Sequence, residues 1–480
     1  LREYAGQLSI SAIWGSSVLS QIRCSATYHA SADIPQLPAL HRHPDHGSDA
    51  DLVCPPDNDD VPMTNPLRIE ADYLIETAYS PQEAAEIMAG EQSSGTFRPV
   101  PGETPELKDR AAARVERLEI VEKVDGPSLP GAGRPSDDAT YQQAFVTLSW
   151  PLDNLGASLP NLIATIAGNL FELKPFSGLR LLDVRLPSAF AAAYSGPKFG
   201  IEGTRMLLGV HGRPLIGTII KPSVGLNPKD TAAIVAELCA GGIDFIKDDE
   251  LQADGPACPF DDRVRAVMAA VNAAADRTGK KTMVAFNLTG EIDEMRRRHD
   301  LVLAEGGTCV MASLTAVGMS GMIALGRHTE LPIHAHRCGW GALTRSPALG
   351  WDYPAWSKLW RLAGADHMHV NGIDNKFTED NTSVTASARS LADPMFDANP
   401  MRALPVFSSG QTVHQAGATL AAAGSVDLLV TAGGGVVAHP DGVAAGVEAM
   451  CAAYEAAMSG TDAAIFAKDN PALATALGAF

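Results

Sequence analysis

The stretch Gly241-Gly242-Ile243-Asp244-Phe245-Ile246-Lys247-Asp248-Asp249-Glu250 decides how the chain is read. It opens apolar, as a buried strand does, and closes on one lysine and three carboxylates. Side chains two apart on a strand share a face. Lys247 and Asp249 therefore point the same way, with Glu250 just past the end. Two convergent carboxylates make a hard-oxygen site of the kind Mg²⁺ takes. An ammonium beside them repels a metal unless its amine is converted to an oxygen ligand. The simpler reading of these residues alone is a salt-bridged lysine at a strand end.

Outward from this stretch the text is regular. Apolar strands are expected at 215–222, 243–249, 282–288, 309–314, 332–337, 366–371, 405–409 and 427–432. Amphipathic segments at 229–240, 262–275, 291–305 and 413–423 read as helices between them. Repeated β-then-α units of this kind predict a (β/α)₈ TIM barrel over 201–480. An open doubly wound sheet is the alternative, weakened because no G-x-G-x-x-G follows a first strand.

A barrel carries its active site at the C-terminal ends of its strands, and unusual polar residues recur there. They are Lys221; Lys247, Asp249 and Glu250; Asn287 and Thr289; His334, His336 and Arg337; His367 and His369; Ser408, Ser409 and Gly410; and Gly433-Gly434-Gly435. A single histidine in a strand is usually a hydrogen-bonded core residue. Recurrence at nearly every strand end is not explained by packing and points to an enzyme. Backbone N–H groups of the glycine run, with a helix expected to open near His439-Pro440, would form an anion cradle.

Upstream, strands are expected at 67–76, 115–124, 143–149 and 180–186, and helices at 80–89 and 159–170. This mixture over 63–200 predicts a small α+β domain preceding the barrel, within an α/β protein. Residues 1–62 read as a disordered extension. Ala32 to Asp60 is rich in Pro, Asp and His without a sustained period. His41, His43 and His46 there read as a solvated loop rather than a metal tract. The first 32 residues, with Glu3 against Arg2 and Arg23 and several serines, have the flavour of a transit peptide. An upstream extension before Met63 is equally consistent, and no function is assigned to it.

A net charge of −19 argues against nucleic acid or an anionic membrane as partner. No apolar run approaches the roughly 18 residues that span a bilayer. Seven cysteines, odd in number and without a C-x-x-C pair, read as reduced thiols of a cytoplasmic protein.

Together with Gly217-Thr218-Ile219-Ile220-Lys221-Pro222, the opening stretch resembles the signature of the ribulose-bisphosphate carboxylase large subunit and its RuBisCO-like relatives. The resemblance runs from Met63 to about residue 460. It implies that Lys247 takes up CO₂ as a carbamate, which binds Mg²⁺ with Asp249 and Glu250. It implies a phosphate on Gly410, Gly433 and Gly434 with Ser408 in register, and a second anionic group on Arg337 and His369. Lys376, in the loop after the sixth strand, would reach the reacting carboxylate as that loop closes. Glu91 and Thr96 would enter a neighbouring subunit's active site, and Asn169 would help hold the metal-bound substrate. A homodimer or larger homo-oligomer with shared active sites follows. By the same resemblance the Lys247 carbamate or Lys221 removes the first proton. We expect the carbamate to do so, Lys221 to carry later proton traffic, and His336 to handle a hydroxyl proton.

Several positions depart from the carboxylase pattern. Ser223 stands where it has a second lysine, Phe97 replaces a tryptophan, and strand 7 ends Ser408-Ser409-Gly410 rather than Ser-Gly-Gly. The flanks of Lys376 differ as well. Loss of a cation near the metal weakens stabilisation of a CO₂-derived carboxylate. The sequence therefore predicts a RuBisCO-like, Mg²⁺-dependent enolising enzyme acting on a phosphorylated sugar acid or ketose. Relatives with this pattern enolise, isomerise or decarboxylate phosphorylated sugar derivatives, and because Lys221, Lys376 and both anion sites persist, the resemblance favours C–C cleavage or decarboxylation of a 3-oxo-isoapionate 4-phosphate-like substrate. Isomerisation or enolisation of methylthioribulose phosphates, authentic carboxylation, and a non-catalytic scaffold or sensor are the alternatives.

Overall fold

The computed structural model describes residues 68–95 and 100–480. Four long strands come first: β1 (Arg68–Thr77), β2 (Arg114–Val124), β3 (Tyr141–Pro151) and β4 (Phe176–Arg185). Nine shorter ones follow. They are β5 (Leu215–Ile219), β6 (Phe245–Lys247), β7 (Met283–Asn287), β8 (Cys309–Ser313), β9 (Ile333–His336), β10 (Leu349–Trp351), β11 (His367–Asn371), β12 (Leu404–Phe407) and β13 (Leu429–Thr431).

β1 shows why the first group forms a sheet. Ile69, Ala71, Tyr73 and Ile75 alternate along it and are fully buried, whereas residues between them are partly exposed. One apolar face then packs on helices Pro81–Glu91 and Leu159–Ile166, whose Met88, Leu162 and Ile166 are fully buried. Both helices open on serines, Ser80 and Ser158, that accept a hydrogen bond from a first-turn N–H. The order is β10-β4-β1-β3-β2, antiparallel except at its β10 edge. That edge strand comes from the connection between β9 and β11. It ties the sheet to the second half of the chain, where Arg180 of β4 pairs with Asp352.

The other eight strands close into a parallel barrel, ordered β5-β6-β7-β8-β9-β11-β12-β13 and back to β5. Each falls inside the segment read from the sequence, apart from a one-residue offset at β12, with trimmed ends. At β5, β6, β9 and β12 the trimming follows from chemistry: the expected strands close on polar residues (Lys221, Asp248 and Asp249, Arg337, Ser408 and Ser409) that leave the ladder to form the rim. The barrel has two apolar layers. Leu215, Phe245, Met283, Ala285, Met311, Val406 and Leu429 fill the interior, and the floor is plugged by Ile201 and Leu208 of helix Gly200–Leu208. The intervening Ile216, Ile246, Val284, Phe286, Val310, Phe407 and Val430 pack outward on helices such as Pro228–Ala240, Phe260–Thr278 and Val443–Ser459. With period two, the register places Lys247 beyond Phe245 on the inward face.

Two buried carboxylates brace the floor. Asp244, just before β6, takes two bonds from Arg213 at 2.6 and 2.9 Å, one from Lys280 at 2.6 Å and the Ile216 N–H at 2.9 Å. Asp366, just before β11, accepts the N–H groups of Phe199, Gly200 and Ile333.

Candidate active site

The C-terminal rim surrounds a cavity of about 1430 Å³. The inward register delivers Lys247 to its floor, where only 1% of the side chain is exposed. Lys247 Nζ donates to the Asp248 carbonyl at 2.8 Å and lies 3.5 Å from Glu250 Oε2. Burial pulls the ammonium below the ordinary lysine range, although Glu250 and Asp249 oppose the shift. Asp249 does not line the cavity directly. Its Oδ2 takes Lys221 Nζ at 2.7 Å and its Oδ1 the Leu251 N–H at 3.1 Å. Burial alone would raise its pKa, yet Lys221 and the N–H hold it below the ordinary range. Asn287 at the end of β7 fixes this loop by donating to the carbonyls of Asp249 and Glu250, at 3.3 and 3.2 Å. Asp248 faces away and pairs with the fully buried Arg263.

β9 and β11 bring a histidine cluster to the same interior. His334 Nε2 and His369 Nε2 are 2.7 Å apart, and His369 Nδ1 reaches Ser408 Oγ at 3.0 Å. Burial pushes both imidazoles well below their usual pKa, so they are neutral. One donates to the other. His336 sits one layer higher, its Nε2 3.6 Å from Glu250 Oε2. Its Nδ1 is buried without a partner among the described residues. Burial, reinforced by Lys247, takes its pKa down to about 3.

Arg337, Lys376, Ser408, Gly410, Gly433 and Gly434 also line the cavity. Gly410 has φ +82°, and a Cβ there would lie 3.7 Å from Lys376 Cβ, so the β12 end abuts the loop carrying Lys376. A Cβ on Gly433 would meet the Lys221 side chain at 3.6 Å, whereas one on Gly434 would enter open space. The helix at this rim opens at the glycines themselves (Gly433–Val437), not near His439-Pro440. His439 is instead buried, with its Nε2 3.0 Å from the Ala472 carbonyl.

Glu91 and Asn169 lie elsewhere. Asn169 Nδ2 approaches Glu91 Oε1 at 3.4 Å, and neither lines the cavity of its own chain. Thr96 and Phe97 lie outside the described residues, as does the His41–His46 tract. The sequence reading did not single out Tyr353, whose hydroxyl donates to the His369 carbonyl at 2.8 Å. Nor did it find Glu379, which pairs with Arg337 at 2.6 Å. The available signal for Glu379 was a carboxylate three residues past Lys376 in a loop expected to cover the site.

The residues fit a bound Mg²⁺. Asp249 and Glu250 supply hard oxygen donors, and burial favours the free amine of Lys247 that carbamate formation consumes.

The two halves of the chain each match a family model. Residues 69–190 match the ribulose bisphosphate carboxylase large chain, N-terminal domain, and residues 200–480 match its catalytic domain. The chain belongs to the ribulose bisphosphate carboxylase large-chain family. Within this family it is 62% identical over 373 residues to a 3-oxo-isoapionate-4-phosphate transcarboxylase/hydrolase of Xanthobacter autotrophicus, covering 78% of this chain and 89% of that protein. It is 42% identical to a 3-oxo-isoapionate-4-phosphate decarboxylase of Rhizobium etli, covering 86% and 98%. Among solved RuBisCO-like structures, a protein from Burkholderia fungorum superposes with a TM-score of 0.81 at 46% identity, covering 86% of this chain and all of that one.

Proposed function

We propose that the chain is a Mg²⁺-dependent enolising enzyme that breaks a C–C bond in 3-oxo-isoapionate 4-phosphate or a close keto-acid phosphate. The observation that carries the reading is the 62% identity to a relative named for that substrate, in a chain whose Lys221, Lys247, Asp249 and Glu250 form one cluster. The lower identity to decarboxylases favours cleavage that retains the carboxyl group in a product over release of CO₂.

Breaking a bond beside a ketone leaves its electron pair on the enolate oxygen, and cations aimed at that oxygen lower the barrier. Mg²⁺ held by a carbamate on Lys247 with Asp249 and Glu250 would supply such a charge. The chain itself supplies the rest. Gly410, Gly433 and Gly434, with Ser408, would seat the phosphate through backbone N–H groups. Lys221, held against Asp249 and Ser223, would carry protons, and neutral His336, which lines the cavity, would handle a substrate hydroxyl proton. Lys376 would bring a positive charge to the carboxylate as its loop closes and excludes water. Glu91 and Asn169, which do not line their own chain's cavity, would complete the cavity of a second copy in a homodimer or larger assembly. The five described cysteines are free thiols, which supports a cytoplasmic setting.

Incubation of the protein with Mg²⁺, bicarbonate and the keto-acid phosphate, followed by ¹H NMR, tests the reading. Failure to consume the substrate under these conditions sinks it.

A further inference from the structure

Arg337 directly follows β9 and lines the cavity at the rim facing the lid loop. Its Nη2 donates to Glu379 Oε2 at 2.6 Å, with both side chains only 13% exposed. The same oxygen accepts from Asn371 Nδ2 at 3.2 Å, and Glu379 Oε1 accepts from Ser383 Oγ at 2.9 Å. The Glu379 backbone carbonyl takes Asn375 Nδ2 at 3.0 Å. Donors from the end of β9, from β11 and from helix Asn381–Ala392 thus fix this carboxylate. It is a built part of the cavity wall.

The consequence is a nearly neutral subsite. The charge of Arg337 is already matched within the protein. Arg337, Asn371 and Glu379 all line the cavity here, and the Glu379 carboxylate is the one acidic group among these three. A phosphate brings about two negative charges to a wall where the guanidinium is already paired and a carboxylate stands beside it. A hydroxyl is uncharged and can donate as well as accept, so it meets that carboxylate without repulsion.

We propose that Glu379 is a specificity-determining residue that closes this end of the cavity to a second phosphate and fits it to an uncharged, hydroxyl-bearing terminus. The site then prefers monophosphorylated ligands. The inference rests on the reading above only in placing the one phosphate at the Gly433-Gly434 rim.

The test is equilibrium binding by calorimetry in Mg²⁺-free buffer, using ribulose 5-phosphate and ribulose 1,5-bisphosphate as matched probes differing by one phosphate. Wild-type protein should bind the monophosphate at least as tightly as the bisphosphate. Glu379→Gln should shift the ratio of dissociation constants toward the bisphosphate about tenfold, as expected for removing one charged contact. Glu379→Asp, which keeps the charge, should retain the wild-type preference. A wild-type protein that binds the bisphosphate ten times or more tighter overturns the proposal. So does a folded Glu379→Gln variant with an unmoved ratio. If that variant does not fold, the wild-type ratio decides. No turnover enters the measurement, so a failed cleavage assay would leave this result standing.

Discussion

Lys221 Nζ lies 2.7 Å from Asp249 Oδ2 and 2.8 Å from Ser223 Oγ. The lysine expected to carry proton traffic is therefore paired with a carboxylate that the family resemblance assigns to the metal. If Asp249 holds Mg²⁺ as proposed, cation and metal would compete for it. Lys221→Met should raise Mg²⁺ affinity several-fold while lowering turnover by roughly 10²–10⁴, the usual scale for a lost acid–base group. Mg²⁺ calorimetry and steady-state kinetics on the same preparation check both halves. Weaker Mg²⁺ binding in the variant would count against the competition.

The phosphate rim can be tested without disturbing the fold. A Cβ on Gly434 meets nothing within 4 Å among the described residues, so Gly434→Ala should keep the wild-type melting temperature. Its methyl would nonetheless stand where the backbone N–H groups are proposed to cradle phosphate. Phosphate-bearing ligands should bind about tenfold more weakly, the scale of one charge-assisted hydrogen bond. Unchanged inorganic phosphate binding would place the cradle elsewhere.

Asp244 should be a stability residue with no part in turnover chemistry. Burial pushes its pKa up, but Arg213, Lys280 and the Ile216 N–H outweigh burial and hold the carboxyl below its ordinary value. A depressed folded-state pKa contributes stability that is fully present above the unfolded value near 4 and is lost as pH falls through the folded one. Asp244→Asn should cost about 2–3 kcal/mol at neutral pH, less than a fully buried pair because Arg213 and Lys280 are partly exposed. The variant's stability should also fall less steeply on acidification below pH 4. Urea melts at pH 7 and pH 3.5 measure both effects.

If active sites are shared between subunits, complementation follows. Glu91→Ala and Lys221→Met should each be nearly inactive alone. Co-expressed at equal levels as a dimer, they should recover about a quarter of wild-type activity. Half the dimers would be mixed, and each mixed dimer would contain one intact site. An inactive mixture that contains verified heterodimers would argue for a site built within one chain.

The barrel was legible because its strands are short apolar runs and its chemistry sits at their polar ends. Lys247 faces inward for the same period-two reason that Phe245 does and Ile246 does not, but β6 ends at Lys247, so the alternation does not carry Asp249 onto the cavity face. β10 was not legible. Leu349–Trp351 is three residues long, and only a sheet edge supplied by β4 makes it a strand. The Gly433–Val437 helix escaped notice because glycine has poor helix propensity. Glu379 was missed because its partner Arg337 is 42 residues away, and only tertiary packing joins them. Glu91 and Asn169 stood out through resemblance alone, as each is an ordinary exposed or helix-end residue by pattern.

The central claim is C–C cleavage of a keto-acid phosphate with the carboxyl carbon retained. The most direct measurement is ¹³C NMR on 3-oxo-isoapionate 4-phosphate labelled at its carboxyl carbon, turned over with Mg²⁺ and unlabelled bicarbonate. The account predicts that the label ends in a carboxylate product and that Lys247→Ala abolishes the conversion. Label appearing as CO₂ and bicarbonate would make the protein a decarboxylase. An unreacted substrate beside rapid turnover of a methylthioribulose phosphate would contradict the account outright.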